Sequence, residues 1–295
     1  MSNEPGFKPV QILADSSCDL PQEVLDRYNI RIIPMYIALG EKDYRDGDIT
    51  ATDIYAHFEK TQQTPKTAAP NVSDYQDLFK PFIDEGKEIV SFSISSQMSG
   101  SFQNARAAAE SFPDVGIYCI DSKSLSSGVG LQIMHACELA EAGKSAGEIA
   151  REALLMAERT QASFVLAQLE YLHRGGRCSA VSAYAATLLS IRPEILVKDG
   201  AMIPGSKYRG GMVKVAKGYV KRVLKDSENI DPRRAFVTYT QNTDQELIDT
   251  VYGAAKDSGF FEEILTATAG CTITSHCGPN TIGLLYFYKD APGKD

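Results

Sequence analysis

The sequence predicts an α/β fold in two lobes, and three observations carry that reading. Val- and Ile-rich strand runs alternate with helical stretches through the first half, the strands repeatedly end in short polar turns, and the texture changes near residue 160. At 295 residues the chain is longer than one average domain and shorter than three. Residues 8–160 are expected to form a parallel-sheet, Rossmann-like lobe. Residues 161–289 are expected to form a second α/β lobe with a mixed or antiparallel sheet and helices, with a ligand held between the two.

Val10 to Ala14 reads as the first buried strand and stops at Asp15-Ser16-Ser17-Cys18-Asp19, where Leu20-Pro21-Gln22-Glu23 opens a helix. Arg31 to Ile37 is a second strand candidate. A short helix covers Asp53 to Lys60 with Thr52 as its cap. Two prolines bracket Lys66-Thr67-Ala68-Ala69, so residues 64–71 are expected to form an irregular shaped loop. Val72 to Glu85 has helical spacing with Ser73 as cap, and Glu88 to Ile94 is a buried strand that runs into Ser95-Ser96-Gln97-Met98-Ser99-Gly100-Ser101. An Ala-rich helix over Phe102 to Phe112 and a strand over Gly116 to Ile120, ending at Asp121-Ser122, continue the alternation. Helices over Gly128–Ala142 and Ala146–Arg159 close the first lobe. Beyond Phe164-Val165-Leu166 come a basic glycine turn, Arg174-Gly175-Gly176-Arg177, an apolar helix over Ala183–Ser190, and several short strands.

Composition excludes several classes of function. The formal net charge of −8 argues against a broad nucleic-acid surface or a polybasic membrane patch. The amino terminus lacks the basic start and apolar stretch of a signal peptide, and no apolar run is long enough to span a bilayer, so a cytoplasmic protein without stable membrane insertion is expected. Six cysteines without CxxC pairing fit reduced core thiols, and His276 between Cys271 and Cys277 is too sparse a ligand set for a metal. No G-x-x-x-x-G-K-[ST] or G-x-G-x-x-G motif occurs, so nucleotide binding by those routes, and any cofactor, is not expected.

Three polar features stand out. The Thr67 segment and the turn after the strand ending at Ile94 both offer hydroxyls, and hydroxyls beside a helix N-terminus suit a carboxylate or phosphate. Ser73, Ser95 and Ser99 read equally well as helix caps. The third feature is His276, ahead of Cys277-Gly278-Pro279, which reads as a turn between two apolar runs. A serine at a strand-to-helix corner also raises an acyl hydrolase, with Ser95 or Ser96 as nucleophile and His276 as base, although the glycines of G-x-S-x-G are missing.

Six segments in order, Lys66-Thr67-Ala68-Ala69-Pro70, Ile94 to Phe102, Ile120-Asp121-Ser122, Leu172 to Arg177, Ser190-Ile191-Arg192-Pro193 and Ser275 to Pro279, resemble the DegV family of fatty-acid-binding proteins. That resemblance implies a long-chain fatty acid such as palmitate, stearate or oleate in an apolar cavity, its carboxylate held by Thr67, Ser95, Ser96 and His276. It implies a binding protein with no catalytic residue of its own, serving lipid transport or acting as the acyl-carrying subunit of a fatty acid kinase with a separate ATP-binding partner. Arg177 and Arg209 are then the candidates for partner docking or phosphate contact. Leu188, Leu189, Ile191, Ile195 and Leu196 are candidate cavity residues. The chain departs from the family where Ala68-Ala69 replaces the usual Ser-Gln after the threonine, and where Asn280 replaces a glycine.

Overall fold

The computed structural model describes residues 8–178, 191–225 and 227–292. Strand β1 (Val10–Asp15) is followed by helix α1 (Gln22–Arg27) and strand β2 (Arg31–Ile33). Then come β3 (Tyr36–Leu39), β4 (Lys42–Arg45), α2 (Ala51–Thr61), β5 (Lys66–Ala68), α3 (Val72–Asp84) and β6 (Glu88–Ser93). Helix α4 (Ser101–Ala109), β7 (Ile117–Asp121), α5 (Ser127–Glu141) and α6 (Ala146–Arg159) complete the first half. The second half holds β8 (Thr160–Gln161), β9 (Ser163–Val165), α7 (Leu169–Gly175), β10 (Arg192–Lys198), β11 (Ala201–Tyr208) and α8 (Met212–Val223). It ends with β12 (Ile230–Thr240), α9 (Gln245–Asp257), β13 (Glu263–Ala269), α10 (Cys271–Cys277) and β14 (Ile282–Tyr288). The helix expected at 183–190 lies outside the described residues.

Among the described residues three sheets result. β2-β1-β6-β7 form a parallel sheet, as Val/Ile-rich runs buried on both faces require. β11-β10-β9-β14-β12-β13, with β8 paired to β14, form a mixed sheet in which only β12 and β13 run parallel. A small antiparallel sheet, β4-β3-β5, stands apart. The parallel sheet draws only on residues before 122 and the mixed sheet only on residues after 159. They do not have separate interiors. Ile12, Val90 and Phe92 of the parallel sheet share one buried cluster with Val129 and Ile133 of α5 and with Phe236, Leu285 and Phe287 of the mixed sheet.

The structure corrects three local expectations. The run from Arg31 to Ile37 is two strands, because Pro34 carries no N–H and restrains its predecessor; β2 stays in the parallel sheet while β3 leaves for the small one. The segment between Pro65 and Pro70 is not irregular. Lys66–Ala68 forms an edge strand whose ladder avoids both prolines, with Thr67 opposite Ile37. Helix caps fall earlier than expected: Thr50 rather than Thr52 caps α2 and Asn71 rather than Ser73 caps α3, each in a reciprocal box with an aspartate at the third helical position.

Helix α6 is capped the same way by Ser145 and Glu148, far from any site discussed below. Ser145→Ala is expected to lower stability by about 1 kcal/mol, read as a lower urea midpoint with an unchanged slope.

Candidate functional site

The carboxyl ends of β1 and β6 face the gap between the sheets, the position where open α/β sheets gather ligands. Asp15 at the end of β1 accepts the Ile94 N–H at 2.9 Å and the Ser17 N–H at 3.2 Å, so one buried carboxylate ties the turn after β6 to the turn after β1. Burial raises the Asp15 pKa above the usual carboxylate range, against the pull of those hydrogen bonds.

Between the sheets lies a cavity of about 160 Å³. Met35, Ile94, Met98, Leu125, Met202 and Ile273 supply most of its apolar wall, and Thr67, Ser99, Arg177, Thr272 and His276 are its polar and charged residues. Leu125, Ile273 and Cys277 also border a second, smaller and almost wholly apolar space of about 30 Å³ that runs toward Phe164 and Leu285 in the mixed sheet.

Residues far apart in sequence meet here. Thr67 Oγ1 and His276 Nε2 are 2.8 Å apart, joining β5 to α10. His276 is a helical residue rather than part of a turn: α10 covers Cys271–Cys277 and all seven of its residues are buried. Burial, with the Arg177 cation adding to it, pulls the His276 pKa down to about 4, so the imidazole is neutral at neutral pH. Nδ1 is buried without a partner. It packs against Gly175, where a Cβ would collide with the ring, so the glycine is required by close approach. A buried bare nitrogen is more easily tolerated than a buried unpaired N–H. The proton is therefore assigned to Nε2, facing Thr67 Oγ1, and the Thr67 O–H remains free to donate into the cavity.

Ser95 and Ser96, expected beside the carboxylate, are held elsewhere. Ser95 Oγ donates to the Gly200 carbonyl at 2.6 Å, beneath the hairpin between β10 and β11. Ser96 Oγ donates to Asp121, whose other oxygen accepts the Ser96 N–H at 3.1 Å. Neither serine caps α4, which begins at Ser101 after Gly100. Neither is bonded to His276, whose Nε2 is engaged by Thr67, so no nucleophile–base pair of the hydrolase kind is assembled. Arg177 is at the cavity mouth, exposed, with Nη1 donating to the Gly175 carbonyl at 2.8 Å. Arg209 is exposed at the end of β11 and is not a cavity residue. Ile191 and Ile195 are buried outside the cavity wall, Leu196 is only half-buried, and Leu188 and Leu189 lie outside the described residues.

Sequence reasoning missed Thr272. It lines the cavity, is 3% exposed, and its hydroxyl has no protein partner. Its signal was a helical offset of four from His276, hidden once the segment was read as a turn.

Comparison with known proteins agrees with this architecture. The family model described as uncharacterised proteins of the DegV family matches residues 9–289. The chain belongs to the DegV family. It is 29% identical over 282 residues to a DegV domain-containing protein of Clostridium perfringens, a match covering 94% of this chain and 98% of that one. Among solved structures, a DegV family protein from Thermus thermophilus described by its fatty acid binding is similar with a TM-score of 0.87 and 29% identity, over 95% of this chain and 99% of that one. A stearic acid-binding protein from Eubacterium ventriosum is similar with a TM-score of 0.78 and 29% identity, over 95% of this chain and 98% of the other. Among the described residues of this DegV protein no helix is long and apolar enough to cross a membrane.

The depressed His276 pKa has a sign. Folded at about 4 against the ordinary 6.5, the residue contributes stability that is present above 6.5 and lost as pH falls through 4. The contribution is on the order of 3 kcal/mol across that window. Wild-type protein is expected to lose stability between pH 6.5 and 4 more steeply than His276→Gln. Urea midpoints at pH 7 and pH 4.5 check this, and equal losses in the two proteins would contradict it.

Proposed function

We propose that this chain binds a long-chain fatty acid, with the carboxylate at the Thr67–His276 pair and the acyl chain along the apolar wall. The observation that carries the reading is the hydrogen bond between Thr67 and a neutral, buried His276 in a cavity whose remaining wall is mostly apolar. A carboxylate there receives the Thr67 O–H and the unpartnered Thr272 hydroxyl, with the Arg177 cation at the mouth. Ser95 joins this set only by releasing the Gly200 carbonyl, and Ser96 only by releasing Asp121. Both shape the turn behind Ile94. Two structural relatives at 29% identity are described by fatty acid or stearic acid binding, which supports the same ligand class.

Energetics favour an acyl ligand over a small anion. Burial of a tail of about sixteen carbons contributes on the order of 10 kcal/mol before association and ordering costs, so hydroxyl contacts orient the ligand more than they hold it. The chain works as a carrier that presents the carboxylate to a separate ATP-binding fatty acid kinase subunit. The absence of a phosphate loop from the sequence supports that division of labour. Arg177 at the mouth and Arg209 on the exposed end of β11 are the cations placed for that partner or for the phosphate it transfers.

Denaturing extraction of the purified protein followed by mass spectrometry is expected to release a fatty acid, and added palmitate or oleate to raise the melting temperature. Thr67→Val is expected to weaken palmitate binding about tenfold or more, the value of a hydrogen bond to a charged group, and His276→Gln to weaken it by releasing the Thr67 hydroxyl from its place. Extraction without any fatty acid, together with no thermal shift, would overturn the reading. Turnover of p-nitrophenyl palmitate that disappears in Ser95→Ala or Ser96→Ala would replace it with the hydrolase.

A further inference from the structure

Helix α10 forms the back of the cavity, contributing Thr272, Ile273, His276 and Cys277, yet it has only seven residues and no side-chain cap of its own. So short a helix cannot fix its own position; tertiary contacts must. Its first N–H groups are taken by two carboxylates from the other end of the chain. Asp19 Oδ1 accepts the Gly270 N–H at 2.8 Å. Asp46 Oδ1 accepts the Cys271 N–H at 3.0 Å and Asp46 Oδ2 the Thr272 N–H at 3.3 Å. A Cβ on residue 270 would lie 3.2 Å from Asp19 Oδ1 and 3.4 Å from Asp46 Oδ2, so the two carboxylates close on the backbone of a glycine.

The carboxylates are held in turn. Ser16 Oγ donates to Asp46 Oδ2 at 2.9 Å and accepts the N–H of Met35, a cavity residue, at 3.1 Å. Ser126 Oγ and Asp19 Oδ2 share a hydrogen bond. Ser126 has φ 53° and ψ −141°, and Asp19 has φ 51°. The Ser126 conformation is one that non-glycine residues rarely adopt, and such geometry persists only where its surroundings over-determine it. Its neighbour Leu125 lies on the wall between the two cavities.

We propose that Asp19 and Asp46 are positioning residues that seat the N-terminus of α10 and thereby hold His276 against Thr67 and Thr272 in the cavity wall. Neither lines the cavity. They act through the helix, one turn before the imidazole. Hydrogen bonding rather than charge is what Asp19 supplies. Burial, with Asp46 and Asp15 adding to it, lifts its pKa to about 8, so at neutral pH it is mostly protonated; with the proton on Oδ2, that oxygen donates to Ser126 Oγ while Oδ1 accepts from Gly270. Asparagine reproduces that arrangement and alanine does not.

The experiment reads the free protein first and the ligand second; only the second part rests on the fatty-acid reading. In wild-type protein the His276 ring nitrogens, followed by long-range proton–nitrogen NMR, are expected not to titrate between pH 5 and 8. In Asp19→Ala and Asp46→Ala the ring is expected to leave its buried place and titrate in that window, and palmitate binding to weaken about tenfold. Asp19→Asn is expected to keep both properties within about threefold of wild type. Should the alanine variants fail to fold, Ser16→Ala leaves both carboxylates in place and is expected to weaken palmitate binding about threefold. A silent His276 and unchanged affinity in the alanine variants, or in Ser16→Ala where only that variant folds, would overturn the proposal; so would an Asp19→Asn protein as impaired as Asp19→Ala. If no protein binds palmitate while His276 is released by alanine and retained by asparagine, the seating of α10 stands and the fatty-acid reading falls.

Discussion

The hydrogen bond between Thr67 and His276 joins residues 209 positions apart, and most of the local architecture around the cavity exists to let it form. In strand β5, the ladder to β3 turns Thr67 inward between the exposed Lys66 and Ala68. That strand survives between two prolines because both lie beyond its pairing. His276 is on the buried helix α10, and Gly175 must be a glycine for the ring to approach so closely. Met35 reaches the cavity because Pro34 diverts the chain out of the parallel sheet one residue earlier. A parallel sheet, a mixed sheet and a small third sheet thus converge on one interaction between neutral groups.

That these groups are neutral resolves an apparent conflict. A chain with a net charge of −8 is a poor general attractant for anions. Charges on its surface are screened over about 10 Å in ordinary salt, whereas donors inside a small buried cavity act at contact distance in a less polarisable medium. The local field outweighs the global one. The same cavity keeps His276 uncharged, which avoids the cost of a buried cation. Arg177 remains at the exposed mouth, where water pays that solvation instead.

Local periodicity made much of this fold legible. The bounds of α6 read from sequence coincide with the observed Ala146–Arg159, and β1, β6 and β7 fall within a residue or so of where their Val/Ile runs place them. Failures cluster where long-range pairing decides. Lys66–Ala68 has no strand pattern of its own and becomes a strand only because β3 lies beside it. Cys271–Cys277 resembles a turn because Gly278-Pro279 follow it, yet it is helical, with Asp19 and Asp46 accepting the N–H groups of residues 270–272 from the far end of the chain. The site follows the same division. Thr67 and His276 were identified as a pair through family resemblance and do meet. Ser95 and Ser96 enter the same set through the same resemblance, but their hydroxyls are bonded to Gly200 and Asp121, partners that local sequence does not reveal. Thr272 escaped notice because an orphaned hydroxyl is a property of packing.

For the long-chain fatty acid proposed as ligand, the size of the cavity bears on how it would enter. A space of about 160 Å³ is close to that of an engineered cavity of about 150 Å³ that takes up benzene, enough for a carboxylate and the first few carbons of an acyl chain. The rest must continue past Leu125, Ile273 and Cys277 into the smaller apolar space toward Phe164 and Leu285. Opening that wall costs packing, and each methylene that follows returns about 0.8 kcal/mol of burial. Short acids therefore occupy the first space without recovering the cost of parting the wall, and long ones recover it progressively. Two of the three wall residues sit on α10, and the third, Leu125, adjoins the strained Ser126 that is tied to Asp19. The seat proposed for α10 is thus also the fixed edge against which such a tail would open its path.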